Sequence, residues 1–200
     1  MKRSILTVIL FALGLTTWSQ DDENIPFKER LFTGGSVSLA FGSNSFLVGA
    51  TPVFGYNIAD WVDGGVVINY NYTSYRDVYY FGSNDKLRQS VYGGGGFIKL
   101  FPVRFLFLQG QLEHNFIKQK YIPSSGGNSE KEKHEATSLL LGGGYTTNRY
   151  PGSGQPFFYL AVLFDVADNL YSPYTDNLGR VVPIVRAGVQ VPLFQGRGRD

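Results

Sequence analysis

The sequence predicts an all-β fold, an eight-stranded antiparallel up-and-down transmembrane β-barrel, from three observations. Eight segments alternate apolar residues with small or polar ones at a period of two. The connectors between them alternate between short and long, as they do in barrels whose tight turns and long loops lie at opposite ends. After residue 20, no stretch approaches the roughly 20 apolar residues of a transmembrane helix. If the protein crosses a membrane, it therefore does so with its strands.

The composition suits a sheet that has one face in lipid. Of the 200 residues, 16% are aromatic, 17% are charged and 25 are glycine. This composition is rich in aromatic residues and poor in charged ones for a soluble domain. Without Lys2 and Arg3 the basic residues fall from 18 to 16, against 16 acidic ones, so no basic stripe remains and no nucleic-acid partner is expected. The chain has no cysteine, which excludes disulfides and thiolate metal sites.

Residues 1–19 are predicted to be a signal peptide that is removed on export. Lys2 and Arg3 precede an apolar segment at 4–15, and small residues follow up to Ser19. The apolar segment is about 12 residues long, which is too short to span a hydrocarbon core of about 30 Å. We then expect a flexible periplasmic leader at 20–30, the barrel at 31–194 and a C-terminal tail at 195–200.

Four strands are predicted in the first half, at 31–42, 46–56, 62–72 and 89–100. The third is typical, because Val66, Ile68 and Tyr70 oppose small or polar residues. The fourth is the least regular, because Gly93 to Gly96 interrupt the alternation. No Gly-Lys-Ser/Thr follows these glycines and no helix begins there, so we attribute them to strand curvature and close packing, not to phosphate binding.

Four further strands are predicted at 106–116, 138–145, 158–166 and 181–194. In the fifth strand three leucines oppose Gln109, Gln111 and Glu113. In the eighth, valines and Ala187 occupy one face and Arg186 the other. The connectors at 74–88, 117–135 and 168–180 are long and polar, and 42–45 is the short one at that end. The connectors at 57–61, 101–104 and 147–156 are turns, which places them at the opposite end.

An eight-stranded barrel is just wide enough to be filled by its own side chains, so we expect no diffusion pore. Buried charges in such a lumen need partners. The predicted lumenal network consists of Asp63, Lys99, Glu113, Asp165 and Arg186. Counting along the strands places Asp63 opposite Lys99 and Arg186 near Asp165. The expected role is structural, and a proton or ion relay is the alternative.

Aromatic residues cluster at the predicted loop end. These are Tyr75, Tyr79, Tyr80, Phe81, Tyr171 and Tyr174. They are expected to form either part of an aromatic girdle at the lipid headgroups or a contact patch on the loops for a polysaccharide, a lipid or a protein.

The sequence favours a protein that is not an enzyme and that binds no cofactor and no metal. His114 and His134 are the two histidines, and neither belongs to an HExxH spacing or lies beside a recognisable serine nucleophile motif. A lipid-modifying activity, as a few outer-membrane barrels have, is the alternative, with His114 as its candidate residue.

The last strand has a second predicted role. Arg186, Gly188, Val191, Leu193 and Phe194 resemble the C-terminal signal that the barrel-insertion machinery recognises. The pattern departs from the usual one because residues 195–200 continue past the aromatic residue.

Several short motifs carry a resemblance to a known family. They are Trp18-Ser19-Gln20, Phe32-Thr33-Gly34-Gly35, Pro52-Val53-Phe54-Gly55-Tyr56, Leu141-Gly142-Gly143-Gly144-Tyr145 and Leu170-Tyr171-Ser172-Pro173-Tyr174. Together they resemble the small outer-membrane β-barrel proteins of Bacteroidota, a group of porin-like and OmpA-like barrel domains. The resemblance implies an eight-stranded barrel in the outer membrane, and it brings no established activity and no functional residues.

The expected function is non-enzymatic, in envelope structure or in recognition and adhesion through surface loops. The expected partners are outer-membrane lipid, the insertion machinery, and a surface ligand or envelope protein that the sequence does not identify. An accessory barrel in an export or uptake assembly is one alternative. A soluble lipocalin-like binder of a small hydrophobic ligand is another, and the polar inner face argues against it because such a cup would bury those charges unpaired.

Overall fold

The computed structural model describes residues 26–41, 44–78, 82–147, 149–150, 153–167, 169, 171–174 and 181–194, with the side chains of 39–41 and 45 left out of the description. Eight strands follow one another along the chain. They are β1 (Leu31–Phe41), β2 (Ser45–Ala59), β3 (Val62–Arg76), β4 (Lys86–Val103), β5 (Leu106–Ile122), β6 (Glu130–Thr146), β7 (Phe157–Asp165) and β8 (Ile184–Pro192). In the part of the predicted leader that the structure describes, a 3-10 turn at Phe27–Arg30 precedes β1. Among the described residues no helix has the length and apolar character needed to cross a membrane.

The eight strands form a closed antiparallel ring. Each strand pairs with the next along the chain, and β1 pairs with β8 from Phe32 opposite Pro192 to Val37 opposite Ala187. The prediction of an all-β, up-and-down fold with eight antiparallel strands is confirmed. The tight connectors at 60–61 and 104–105 lie at one end, with 147–156, and this end is called the turn end. The other connectors lie at the loop end.

Alternation divides every strand into an inner and an outer face, and β7 is the clearest case. Residues of β7 alternate between buried and exposed at every position. Phe158 is 66% exposed and Leu160 is 51% exposed, whereas Tyr159 and Leu163 are buried inside the ring. Side chains of a strand point alternately to opposite faces, so the period of two in the sequence becomes an apolar outside and a mixed inside.

Three small apolar clusters fill part of the interior. They consist of Phe101, Phe107, Tyr159 and Ala161; of Phe32, Val67 and Phe97; and of Val91, Ile117 and Ala136. Polar side chains occupy the space between and around them. The core of this ring is therefore only partly hydrophobic.

The glycine run of β4 allows neighbouring backbones to approach closely. A Cβ atom added to Gly95 would lie 1.7 Å from the carbonyl oxygen of Leu112 on β5, and one added to Gly93 would lie 2.2 Å from that of His114. No side chain fits at either position. The outward glycine Gly96 is different, because its nearest neighbour would be 3.6 Å away.

Strands β2 to β6 extend farther toward the loop end than predicted. β5 continues to Ile122 and β6 begins at Glu130, so most of the segment predicted as a loop at 117–135 is strand, and that prediction was wrong. Here both faces carry polar residues, and the contrast between apolar and polar positions that marks a strand is lost. In the same way β4 begins three residues before the predicted start, at Lys86. β8 differs in the opposite sense, because it begins three residues after the predicted start at Val181.

Candidate functional site

The lumen contains two hydrogen-bonded polar clusters. The first lies near the turn end around Asp63, which is fully buried at the start of β3. Asp63 accepts a hydrogen bond from Asn57 Nδ2 at 2.6 Å and one from Gln190 Nε2 at 3.0 Å. Its ion-pair partner is Arg149, whose Nη2 lies 2.9 Å from Asp63 Oδ1.

Arg149 is a lumenal residue that the sequence did not indicate. It lies in the connector between β6 and β7, and its guanidinium is inserted into the turn end of the ring. There it also donates to the carbonyl of Asp60 at 2.6 Å and lies 3.7 Å from the centre of the Phe101 ring. A glycine- and proline-rich turn carries no periodic signal, so only the folded ring reveals where this side chain points.

Lys99 is next to Asp63 but is not its hydrogen-bond partner in the described contacts. The register places the two residues opposite each other on β3 and β4, as predicted. Lys99 Nζ lies 3.4 Å from Gln190 Oε1 and 4.2 Å from the centre of the Tyr159 ring, with the rings of Phe97 and Phe107 a little farther away. The ammonium group is thus held mainly by an amide oxygen and aromatic faces.

The second cluster is organised around Glu113 on β5, which is also fully buried. Arg186 of β8 places Nη2 at 3.2 Å from Glu113 Oε1, and its Nη1 lies 3.4 Å from Gln111 Oε1. The other donors to Glu113 are the side chains of Gln111, Asn69, Asn115 and Tyr174. A buried carboxylate with five donors is fully satisfied, which is the condition under which a buried charge is tolerated.

Asp165 lies apart from this cluster, and the predicted proximity to Arg186 was wrong. The register places Arg186 opposite Ala161, four residues before Asp165 on β7, which is about 13 Å along a strand. Asp165 accepts a hydrogen bond from Ser172 Oγ at 2.5 Å and one from each of two backbone amides, those of Leu139 and Ala167. It fixes the start of the loop that follows β7.

The interior of the ring is packed, and most of its charges are paired or hydrogen-bonded. Among the described residues four carboxylates and three cations are buried, Asp63, Asp85, Glu113, Asp165, Lys99, Arg149 and Arg186, and Asp85 lies in the connector between β3 and β4 at the loop end. A cavity of about 10 Å³ lies between Lys99, Gln111 and Arg186, which is about the size needed for one water molecule. No group of three His, Asp or Glu side chains in the described part of the chain could hold a metal ion.

A larger cavity of about 550 Å³ opens at the loop end, and we call it the vestibule. Its polar and aromatic lining includes Tyr75, Gln89, Gln119, His134 and Tyr171. The His134 and Tyr171 rings are stacked, with centroids 4.6 Å apart and planes 9° apart, and His134 Nε2 lies 3.3 Å from Glu132. Ser172 and Pro173 also line the vestibule.

Tyr174 continues from this lining down into the lumen. Its hydroxyl donates to Glu113 Oε2 at 2.7 Å and accepts from Asn69 at 3.4 Å. The prediction that Tyr174 belongs to a girdle or to an exposed loop patch was therefore wrong. The phenol group finds a carboxylate acceptor inside the ring, and the loop is drawn inward with it.

The remaining predicted aromatic residues lie in different places. Tyr75 and Tyr171 line the vestibule and Tyr171 is half exposed, while Tyr79, Tyr80 and Phe81 are outside the described residues. The outward aromatic row at the loop end is formed instead by residues paired across three strands, Tyr70, Tyr92 and Phe116. Tyr92 and Phe116 stack with centroids 5.6 Å apart. A second outward pair, Phe105 and Tyr145, lies at the turn end.

The residues of the predicted insertion signal differ from one another in their contacts and exposure in the folded ring. Arg186 is held by Glu113, and a Cβ added to Gly188 would lie 2.3 Å from the carbonyl of Gly35. Val191 and Leu193 are partly exposed on the outer face, and Phe194 follows β8 with a φ of 61° and 55% exposure. Recognition by the insertion machinery stays a prediction.

Neither a protein-family model nor a curated protein matches this chain. Its membership of the Bacteroidota barrel family stays a prediction from the sequence motifs.

Proposed function

We propose that the chain is a non-enzymatic outer-membrane β-barrel that contributes to envelope structure and presents its loop end for recognition or adhesion. The observation that carries the proposal is that apolar side chains lie outside and polar ones inside, the reverse of the distribution in a soluble protein. On β5, Leu108 and Leu112 are more than half exposed, while Gln111 and Glu113 between and beside them are almost completely buried. A contiguous apolar exterior of this extent is typical of a surface that contacts lipid or another protein.

The height of the apolar band supports lipid as that contact. On β5 the outward apolar face runs from Leu106 to Phe116, with His114 as its polar member. Eleven residues extend about 33 Å along a strand, which at a tilt of about 45° corresponds to a height of about 24 Å. The apolar band of outer-membrane barrels is about 25 Å tall. The two outward aromatic groups, with Phe116 at one end and Phe105 at the other, lie where girdles are expected.

The filled lumen supports a role other than diffusion through the ring. The two polar clusters cross the interior, and Tyr174 closes its loop end by bonding to Glu113. The same interior disfavours a lipocalin-like cup, because a cup for an apolar ligand would place its charges on the outside. The structural hypothesis for the lumenal network is favoured over a relay because its three carboxylates, Asp63, Glu113 and Asp165, each have fixed donors.

The loop end is the part of the barrel that offers a binding surface. β5 extends six residues beyond Phe116, which lifts the vestibule about 14 Å above the aromatic row for a strand tilted by about 45°. Its Tyr75, His134 and Tyr171 rings and the amides of Gln89 and Gln119 offer stacking and hydrogen bonds. These are suited to a polar surface ligand such as a saccharide.

Fractionation of cells that produce the full chain tests the location. We expect the protein in the outer-membrane fraction, resistant to alkaline carbonate extraction, and migrating faster on a gel before boiling than after it. A protein recovered in the soluble periplasm, with migration unchanged by boiling, would contradict the proposal. The same fractions, sequenced at the N-terminus, test cleavage after Ser19.

A further inference from the structure

The extended ends of β4, β5 and β6 carry six cations on one outward face, of which five lie in two adjacent rows and the sixth, Lys86, lies one row farther from the turn end. Register places Arg88, Lys120 and Lys131 side by side across the three strands, and Lys118 and Lys133 side by side in the next row toward the turn end. Alternation along each strand puts all five on the outside of the ring, and four of them are exposed. We call these five residues the basic face.

Alternation explains why the sequence hides this face. The run from Glu130 to Glu135 mixes three glutamates with two lysines, so no basic cluster is visible in the sequence. In the strand, Lys131 and Lys133 point outward while Glu130 and Glu132 lie on the vestibule side, where Glu132 contacts His134. Residues 130–133 thus place their lysines on the outer face and their glutamates on the inner face.

The cations of the basic face repel one another and lack carboxylate partners. Residues directly opposite on neighbouring strands have Cβ atoms about 4.5–5.5 Å apart, and like charges in such pairs are destabilising. In the described part of the chain, no carboxylate lies within ion-pair distance of any of the five. Glu135, the nearest outward carboxylate along β6, lies 3.8 Å from His114. A polyanionic ligand would relieve this repulsion.

The height of the basic face above the outward aromatic row indicates which ligand it meets. The outward aromatic row of Tyr70, Tyr92 and Phe116 lies directly below it, and Lys118 Nζ is 4.8 Å from the centre of the Tyr92 ring. Its two rows are two and four residues above the aromatic row, or about 5 and 10 Å in height for strands tilted by about 45°. The headgroup layer of a bilayer is about 5–8 Å thick on each side, so the lower row lies within this layer and the long side chains of the upper row reach it from just above.

We infer that the basic face binds the phosphate groups of anionic lipids in the leaflet at the loop end. Lysine and arginine bind phosphate through charge-assisted hydrogen bonds, and the acyl chains would pack on the apolar band below. The described outward faces of β7, β8, β1 and β2 carry no lysine or arginine, so the site occupies one side of the barrel. The inference rests on the proposed membrane location, and it adds the headgroup chemistry and the binding strands.

Native mass spectrometry of the full protein refolded in neutral detergent tests the inference, with phosphatidic acid and phosphatidylcholine of identical chains as probes. We expect tighter binding of phosphatidic acid. Each cation near an anionic surface contributes about fivefold in affinity, so Lys120→Gln with Lys131→Gln should weaken this binding about twentyfold or more. The charge-keeping pair Lys120→Arg with Lys131→Arg should retain it. All variants are compared as the heat-modifiable folded form.

The matched control removes two exposed cations at the turn end, Lys28→Gln with Arg104→Gln, and should change binding by less than about twofold. Equal binding of both lipids, an equal loss in the control, or displacement of phosphatidic acid by an equal concentration of inorganic phosphate would each overturn the inference. None of these results affects the membrane proposal. Failure of the unsubstituted protein to insert into phosphatidylcholine vesicles would overturn both.

Discussion

Glu113 and Arg186 form a buried ion pair. Their contacts predict that substituting Glu113 lowers the free energy of unfolding more than substituting Arg186 does. Arg186→Ala removes one of five donors from the carboxylate, which keeps four neutral ones. Glu113→Ala removes the acceptor of all five donors and leaves the guanidinium with Gln111 Oε1 at 3.4 Å as its described hydrogen bond. The second substitution therefore leaves the less compensated buried charge.

Breaking a buried pair costs about 3–5 kcal/mol, depending on what remains for the orphaned charge. We place Arg186→Ala near the lower limit, at about 3 kcal/mol, and Glu113→Ala near the upper one, at about 5 kcal/mol. Denaturant unfolding of the protein refolded in vesicles measures both, followed by the fluorescence of Trp61 and by heat-modifiable migration. Glu135→Ala, an exposed carboxylate on β6, is the control and should stay within about 0.5 kcal/mol. Equal losses, the reverse order, or losses below about 1 kcal/mol for both variants would refute the role of the Glu113 cluster.

Two further substitutions test the outer face and the packing of the barrel wall. Leu112→Arg places a charge near the middle of the apolar band and should destabilise the folded barrel by about 2–4 kcal/mol in vesicles. The control Ile122→Arg, which is outward but above the band, should destabilise it by less than about 1 kcal/mol. Similar values for the two variants would argue against a lipid-facing band. Gly95→Ala forces a methyl group against the carbonyl of Leu112 and should cost about 1–3 kcal/mol, while Gly96→Ala on the same strand should be nearly neutral. A neutral Gly95→Ala variant would show that β4 and β5 are not held this closely.

The strand count, the inner and outer faces and the closeness of Asp63 to Lys99 could be predicted because each follows from a period of two read locally. Register across a single hairpin needs only the position of its turn. The pairing of Arg186 with Glu113 joins β8 to β5 across the ring. The sequence indicates distances only along and between neighbouring strands, so Asp165 on the adjoining strand was predicted as the partner of Arg186.

The remaining differences have related causes. Arg149 and Tyr174 lie in connectors, where no periodicity indicates whether a side chain points into the ring or to solvent. Phe32 and Val67 are buried apolar residues on inner faces that were expected to be polar. The segment at 130–135 was assigned to a loop because charges on both faces of a strand remove the contrast between apolar and polar residues, although the alternation of sign was present.

Spin-label accessibility along β7 tests the central claim, that the outward face of the ring lies in lipid. The chain has no native cysteine, so single cysteines at positions 158–165 label cleanly. In vesicles, labels at Phe158, Leu160, Val162 and Phe164 should collide mainly with dissolved oxygen, and labels at Tyr159, Ala161 and Leu163 should be immobile and shielded from oxygen. Collision of the outward labels mainly with a water-soluble nickel chelate, or accessibility without a period of two, would contradict the account.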